Sequence, residues 1–340
     1  MMESARASGV FRDSMNLQEL RYLSAVAEHR HFGRAAAACN VSQPTLSSQI
    51  RKLEEELGVT LFERTNKRVS LTLVGSQILL HAERALAETS QMEALARAAH
   101  DPLAGSLKLG VIPTLAPYLM PMILEPLQQA CPRLTVELWE DQTRMLLDGL
   151  RNYRLDAALL ATPAATPEIT EIALFDEPLF AALPLGHRLA AAKSVTEEEL
   201  STELMVLAEG HCLSNLALAA CGAKLSAQRS PLQRSMQATT LETLVNLVAA
   251  GYGATLIPAL AAASLSRRGV ALRPLAGRTA RTIRLASRIE FPRPQALRAL
   301  EKVVRRAVRQ VRPQGFSFES LLPRPQSQKS PRKTTATAHH

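Results

Sequence analysis

The segment 31–58, HFGRAAAACNVSQPTLSSQIRKLEEELG, constrains the fold of this chain more than any other. Four alanines at 35–38 predict a helix with a thin face that allows close packing against a second helix. Asn40 lies in a short turn, and Ser42 can cap the next helix, with Pro44 tolerated in its first turn. Two short helices joined in this way are typical of a helix-turn-helix.

The second helix of this segment has two different sides. Leu46, Ile50, Leu53 and Leu57 are spaced four, three and four residues apart, which predicts one buried stripe. The opposite side carries small polar and cationic side chains, as a helix in the major groove of DNA requires. The residues that we expect to contact DNA are Arg34, Ser42, Gln43, Pro44, Thr45, Ser48, Gln49, Lys52 and Arg64.

The segment that follows, GVTLFERTNKRVSLTLVG at 58–75, combines turn residues with β-branched residues. It predicts a short two-stranded wing that carries Arg64, Lys67 and Arg68. An ordinary amphipathic helix with a solvated face would explain the polar side of 43–57 taken alone. The turn, the alanine-rich helix and the basic wing together favour a winged helix-turn-helix.

The remainder of the chain predicts one long helix and then alternating strands and helices. The helical pattern continues to about residue 100, where Asp101 and Pro102 end it. The alternation that follows favours a parallel sheet with crossover helices. We expect the strands at 107–112, 134–140, 155–161, 204–208, 254–257 and 281–287.

Charge is distributed unevenly along the chain. Residues 1–100 carry 12 basic and 11 acidic groups (+1), residues 101–260 carry 10 and 17 (−7), and residues 261–340 carry 18 and 3 (+15). The net charge of +9 is therefore weak support for an N-terminal nucleic-acid site. Because no apolar run can span a bilayer and no signal-peptide core is visible, we expect a cytoplasmic protein without a membrane partner.

The four cysteines are Cys39, Cys131, Cys212 and Cys221. They form no CxxC motif and no zinc-type spacing, so we expect neither a metal nor a cofactor. Cys212 and Cys221 lie nine residues apart on a predicted helix, which would place them about 13.5 Å apart along its axis. They are either two unrelated buried thiols or a pair that meets only when the helix breaks.

The stretch from Met15 to Gly75 resembles the DNA-binding domain of LysR-type transcriptional regulators. The resemblance covers about 15–311. It implies a dimerising linker helix and an α/β effector domain of periplasmic-binding-protein type with two Rossmann-like lobes. It also implies a homotetramer whose partners are double-stranded promoter DNA and RNA polymerase. The organisation expected is a disordered extension (1–14), a winged helix-turn-helix (15–72), a linker helix (73–100), a regulatory domain (101–311) and a disordered basic tail (312–340).

Within that family, EGHCLSNLALAACG at 209–222 resembles the peroxide sensors, in which two cysteines form a redox switch. The segments VIPTLAPYL (111–119), EDQT (140–143) and ARTIRL (280–285) resemble the same sensors. By this resemblance Cys212 and Cys221 are the redox-active pair, hydrogen peroxide is the signal, and the thiol of Cys212 is surrounded by Thr114, Thr143, His211 and Arg281.

The thiol chemistry is consistent with this resemblance. Cys212 starts the predicted helix, where the positive end of the helix dipole favours a thiolate. A donor from His211 and the charge of Arg281 would add to that effect, and the hydroxyls of Thr114 and Thr143 could orient a peroxide. A disulfide between the two cysteines would require the helix to unwind, because their Cα atoms must come within about 4.4–6.8 Å.

Two other functions remain open from the sequence. The chain could be a LysR-type regulator of an ordinary metabolite bound between the lobes, with both cysteines incidental. It could also be a thiol peroxidase that uses Cys212, although the winged helix and the linker would then be unexplained. We expect a transcriptional activator of the oxidative-stress response, not an enzyme.

Overall fold

The computed structural model describes residues 15–65, 68–208, 210–221, 238–265 and 268–311. Apart from residues 152–154, the chain divides between Ala99 and His100 into two compact units. The disorder predicted for 1–14 and 312–340 lies outside the described residues.

The first unit is a helix-turn-helix with a wing. Its elements are α1 (Leu17–His29), α2 (Phe32–Ala38), α3 (Gln43–Leu57), the antiparallel strands β1 (Phe62–Thr65) and β2 (Arg68–Leu71), and α4 (Leu73–His100). Leu46, Ile50 and Leu53 of α3 are fully buried, as the stripe predicts. Leu57 was wrongly placed in that stripe: its side chain is 37% exposed because α3 ends there, at Gly58 (φ 67°).

The second unit consists of two α/β lobes joined by long strands. Its strands are β3 (Gly105–Val111), β4 (Leu134–Glu140), β5 (Ala157–Leu160), β6 (Ile169–Pro184), β7 (Thr255–Pro258), β8 (Val270–Pro274) and β9 (Ala280–Arg288). Its helices are α5 (Ala116–Ala130), α6 (Thr143–Arg151), α7 (Glu197–Leu200), α8 (Cys212–Cys221), α9 (Leu241–Ala249), α10 (Ala259–Leu265) and α11 (Pro294–Arg309).

The strands β6 and β9 pass between the two lobes. In the first lobe β3 pairs with both β4 and β5 in parallel. β9 then pairs antiparallel with β5 and with the first part of β6. The last part of β6 continues into the second lobe, where it pairs antiparallel with β7 and β8.

The expectation of a parallel sheet is therefore correct only for β3, β4 and β5. The strand predicted at 204–208 is reduced to isolated bridges, Leu204 with Ala254 and Leu207 with Ala238. The two-lobed architecture itself is the one expected from the family resemblance. None of the helices in the described ranges combines the length and apolar character needed to cross a membrane.

Candidate functional site

The helix α3 presents a polar face to solvent. Ser42 caps it: the Ser42 side chain accepts a hydrogen bond from Thr45 N (3.2 Å), and the two hydroxyl oxygens lie 2.7 Å apart. Ser42, Gln43, Pro44, Thr45 and Ser48 are exposed, and Gln49 is half-buried. These side chains are therefore available to base edges in a major groove.

The cations predicted to contact DNA have different surroundings. Lys52 Nζ lies 3.0 Å from the buried carboxylate of Glu19 on α1 and 3.3 Å from Glu56. The Arg34 guanidinium donates to the carbonyl oxygen of His29 at 2.8 Å and stays exposed. Arg64 lies in β1. Lys52 thus links α1 to α3, whatever it contributes to phosphate binding.

The thiol of Cys212 is held at the start of α8. Cys212 is the first residue of this helix, is a free thiol and is half-buried. Gly210 comes just before it with φ 92°, a left-handed conformation that favours glycine. A Cβ at Gly210 would lie 2.2 Å from Gln142 Oε1, so the chain passes close to the first lobe there.

A polar cleft lies on one side of the Cys212 thiol. It has a volume of about 510 Å³, and Thr143, Thr162, Gly210 and Asn215 line it together with Cys212. Thr143 Oγ1 is buried and has no hydrogen-bond partner among the described residues. A buried hydroxyl without a partner is costly, so this atom can accept or donate to a small polar molecule beside the thiol.

A second cleft, of about 330 Å³, lies beside the same thiol. Arg281 and Arg284 line it with Cys212, Asn215 and Thr162. The structure therefore brings Cys212 together with Thr143 through one cleft and with Arg281 through the other. Thr114 and His211 are both buried, and neither lines either cleft.

Arg281 belongs to a buried network that crosses the hinge between the lobes. Its Nε donates to Glu177 Oε2 (2.9 Å), and Nη2 lies 2.8 Å from the same oxygen. Nη1 donates to the Thr114 hydroxyl (2.6 Å) and Nη2 to the Thr114 carbonyl (3.0 Å). The other Glu177 oxygen accepts from Leu260 N at 2.9 Å.

Arg281, the cation expected beside the thiol, therefore does not act as a free positive charge. The Arg281 side chain is 2% exposed and its partner Glu177 is 0% exposed, so the two charges balance each other inside the protein. Burial lowers the pKa of His211, which favours the neutral imidazole, and that form still has one N–H to donate. Cys212 lies at the N terminus of α8, the positive end of the helix dipole, and Arg144, Arg151 and Arg284 also line the clefts beside it.

Cys221 is the last residue of α8. Because the helix is continuous, its nine-residue rise of about 13.5 Å separates the Cα atoms of Cys212 and Cys221. That separation exceeds the roughly 4.4–6.8 Å that a disulfide allows. The other two cysteines are helix C-caps: Cys39 follows α2 and Cys131 follows α5, and burial raises the pKa of both thiols.

Sequence reasoning missed several residues of this site. Glu177 belongs to no recognisable sequence motif. A carboxylate inside the apolar run LFDEPLFAALP nevertheless indicates that a buried cation lies near it. Asn215 was one turn of helix away from Cys212 and could have been included. Gln142 and Thr162 follow strands β4 and β5, at the strand ends where α/β folds bind ligands.

Two family descriptions match the chain. "Bacterial regulatory helix-turn-helix protein, lysR family" matches residues 17–76, and "LysR substrate binding domain" matches residues 100–309. This chain belongs to the LysR family. Among curated LysR-family relatives, a "Hydrogen peroxide-inducible genes activator" from Dickeya chrysanthemi is 44% identical over 248 residues, 73% of this chain and 80% of that protein. A "Probable hydrogen peroxide-inducible genes activator" from Streptomyces viridosporus is 41% identical over 304 residues, 88% of this chain and 96% of that protein.

Several solved structures share the architecture. A full-length OxyR variant from Pseudomonas aeruginosa superposes with a TM-score of 0.70 at 36% identity, covering 86% of this chain and 96% of that one. A hydrogen-peroxide-bound OxyR mutant from Corynebacterium glutamicum gives 0.58 at 31% identity, covering 87% and 94%. CbnR in complex with its target DNA gives 0.66 at 23% identity, covering 86% and 100%, a likeness of fold.

Proposed function

We propose that this LysR-family protein is a DNA-binding transcriptional regulator that senses hydrogen peroxide through Cys212. The observation that carries the proposal is the position of this thiol: it starts α8 and shares a polar cleft with the unpartnered hydroxyl of Thr143. Hydrogen peroxide is small and uncharged, so hydrogen bonds are its means of recognition. Relatives named for peroxide induction and OxyR support the assignment.

The reaction proposed at Cys212 is a two-electron oxidation of sulfur. The thiolate attacks one peroxide oxygen, the O–O bond breaks, and an S–O bond forms to give a sulfenic acid. The departing hydroxide takes up a proton and leaves as water. The Cys221 thiol then attacks the sulfenic sulfur, forming a Cys212–Cys221 disulfide and releasing a second water.

Disulfide formation, the second step, would change the structure of the regulatory unit and so transmit the signal. The continuous α8 keeps the two cysteines about 13.5 Å apart, so the disulfide and this helix cannot coexist. Opening α8 would remove Leu213 and Ala217 from the core, where both are almost fully buried. The second lobe would then have to repack, which changes the surface that it offers to other subunits.

The remaining parts of the proposal concern partners. The exposed face of α3 would read promoter DNA, in a homotetramer that contacts RNA polymerase when it activates transcription. Such a regulator would act in the cytoplasm and would not be an enzyme. The long helix α4, with Leu73, Met92 and Leu95 exposed, offers an apolar surface for pairing with a second copy.

Mass spectrometry of the peroxide-treated full-length protein tests the proposal. We expect a linked pair of peptides that contain Cys212 and Cys221, and a change in binding to promoter DNA in the same samples. An unlinked pair with unchanged DNA binding would favour a metabolite regulator instead. Catalytic turnover of peroxide with a thiol reductant and no DNA binding would favour a peroxidase.

A further inference from the structure

We propose that Glu177 is a positioning residue for the reaction at Cys212. It holds the Arg281 guanidinium in its hydrogen bonds to Thr114, and it offsets the positive charge that Arg281 presents to the Cys212 thiol. This inference rests on the proposed function of Cys212. Glu177 comes from the middle of β6 and faces Arg281 directly across the β6–β9 ladder. The backbone register of β6 and β9 therefore places Glu177 and Arg281 opposite each other.

The geometry shows how Glu177 fixes its neighbours. One carboxylate oxygen, Oε2, receives Arg281 Nε and Nη2, which leaves Nη1 directed at the Thr114 hydroxyl. The other oxygen, Oε1, is held by the backbone N–H of Leu260, at the start of α10. Glu177 thus ties a helix of the second lobe to Thr114, which follows β3 in the first lobe.

The Thr114 hydroxyl acquires a defined polarity from this contact. Its oxygen accepts from Arg281 Nη1, so its own proton remains available for donation. If Arg281 moves, that polarity is lost. The carboxylate of Glu177 acts on Thr114 only through Arg281.

The charge of Glu177 matters because Arg281 and Cys212 line the same cleft of about 330 Å³. Groups around a cleft of that size lie within about 10 Å of each other, a range over which partly buried charges interact. With Glu177 present, the pair is close to neutral. Without it, an uncompensated cation would face the thiol and favour its anion.

Two variants separate charge from position. Glu177→Gln removes the negative charge and keeps the side-chain size. Glu177→Asp keeps the charge but is one methylene too short to reach both Arg281 and Leu260 N. Glu168→Gln, an exposed position next to the start of β6, removes a carboxylate outside the network and serves as the control.

The first measurement is the rate of Cys212 alkylation by iodoacetamide, read by mass spectrometry of the Cys212 peptide in the full-length reduced protein. For Glu177→Gln, the rate at about pH 6, relative to its plateau at high pH, should rise at least about threefold. Arg281→Gln leaves an uncompensated anion and should lower the same ratio. The double variant Glu177→Gln/Arg281→Gln should return toward wild type, and Glu168→Gln should not change it.

The second measurement is the rate constant for sulfenic acid formation with hydrogen peroxide. Glu177→Asp should lose about tenfold because Arg281, which lines the cleft beside Cys212, is displaced, while its alkylation profile stays at wild type. A wild-type peroxide rate in Glu177→Asp, or a wild-type alkylation profile in Glu177→Gln, would overturn the proposal.

Removal of one partner from a buried pair can prevent folding, so circular dichroism accompanies each variant. If Glu177→Gln does not fold, the alkylation profile of Arg281→Gln tests the charge effect instead. A wild-type profile in Arg281→Gln would then overturn the proposal. If wild-type Cys212 does not react with peroxide, the proposed function fails, and the alkylation profiles still decide whether Glu177 sets the charge around the thiol.

Discussion

The Tyr118 hydroxyl donates a 2.8 Å hydrogen bond to Glu242 Oε1 and so joins α5 of the first lobe to α9 of the second. Both residues lie in the first turns of their helices. Burial, and then the hydrogen bond to Glu242, raise the pKa of the Tyr118 hydroxyl well above its usual value, so it stays a donor at all working pH values. The contact is a polar link between the two lobes.

Tyr118→Phe should destabilise the regulatory unit by about 1–2 kcal/mol, because a carboxylate loses its donor in a partly buried site. Urea unfolding followed by Trp139 fluorescence measures this, since Trp139 is the chain's single tryptophan and lies in that unit. The double variant Tyr118→Phe/Glu242→Gln completes a mutant cycle. Full additivity of the two single effects would show that the hydrogen bond contributes nothing.

Glu140→Gln should stabilise the regulatory unit in a pH-dependent way. Burial, and then the carboxylate of Glu242, raise the pKa of Glu140 above its ordinary value of 4.5. A carboxyl with a raised pKa in the folded state favours folding below its ordinary pKa, and that contribution is lost as the pH rises through the folded-state pKa. The gain in urea midpoint from Glu140→Gln should therefore be larger at neutral pH than below pH 4.5. Glu140 and Glu290 are both exposed carboxylates, and Glu290→Gln is the charge control.

Gly210→Ala should slow the peroxide reaction of Cys212 and reduce stability. Its left-handed backbone costs a non-glycine residue about 1–2 kcal/mol, and the added Cβ would collide with Gln142, next to Thr143. Gly251→Ala has φ 87° and open space, so it isolates the backbone cost, while Gly186→Ala has open space and no left-handed φ. If Gly210→Ala matched Gly251→Ala in stability and reacted like wild type, the close approach to Gln142 would have no role.

Lys52→Ala distinguishes two roles of a single cation. If Lys52 contacts phosphate, affinity should fall on all DNA sequences alike, and the slope of log affinity against log salt should shrink by about 0.9. If Lys52 serves only the ion pairs with Glu19 and Glu56, the thermal midpoint falls and the slope is kept. We predict that Lys52 has both roles, so Lys52→Ala should reduce the slope and also lower the thermal midpoint. A changed base preference with an intact slope would contradict the phosphate contact.

The helix-turn-helix could be predicted because its signals are local: the cap at Ser42, the alanine-rich α2 and the spacing of Leu46, Ile50 and Leu53 all act within one turn or two. The 16-residue strand β6 could not be predicted from such local signals. Its sequence contains Pro178 and little alternation, and its pairing with β9 joins residues about a hundred positions apart. Pairing between residues far apart in the chain produces no periodic hydrophobic pattern in the sequence of either strand.

The candidate site divides in the same way. Cys212 and the start of α8 follow from a short stretch of sequence, and Thr143 and Arg281 from resemblance. Glu177 could not be predicted, because a carboxylate is buried only when its cation is in place, and that cation is on another strand. The neutral state of His211 likewise depends on burial that only the folded chain supplies.

The most direct test of the account compares peroxide consumption and sulfenic acid trapping in Cys212→Ser and Cys221→Ser, with the unchanged chain as reference. Cys221 is predicted to react slowly, because it lies at the C-terminal end of α8, where the helix dipole disfavours a thiolate. Cys221→Ser should therefore still form a sulfenic acid on Cys212, and Cys212→Ser should lose rapid peroxide reactivity. Rapid peroxide consumption by Cys212→Ser at the rate of the unchanged chain would contradict the assignment of Cys212 as the sensing thiol.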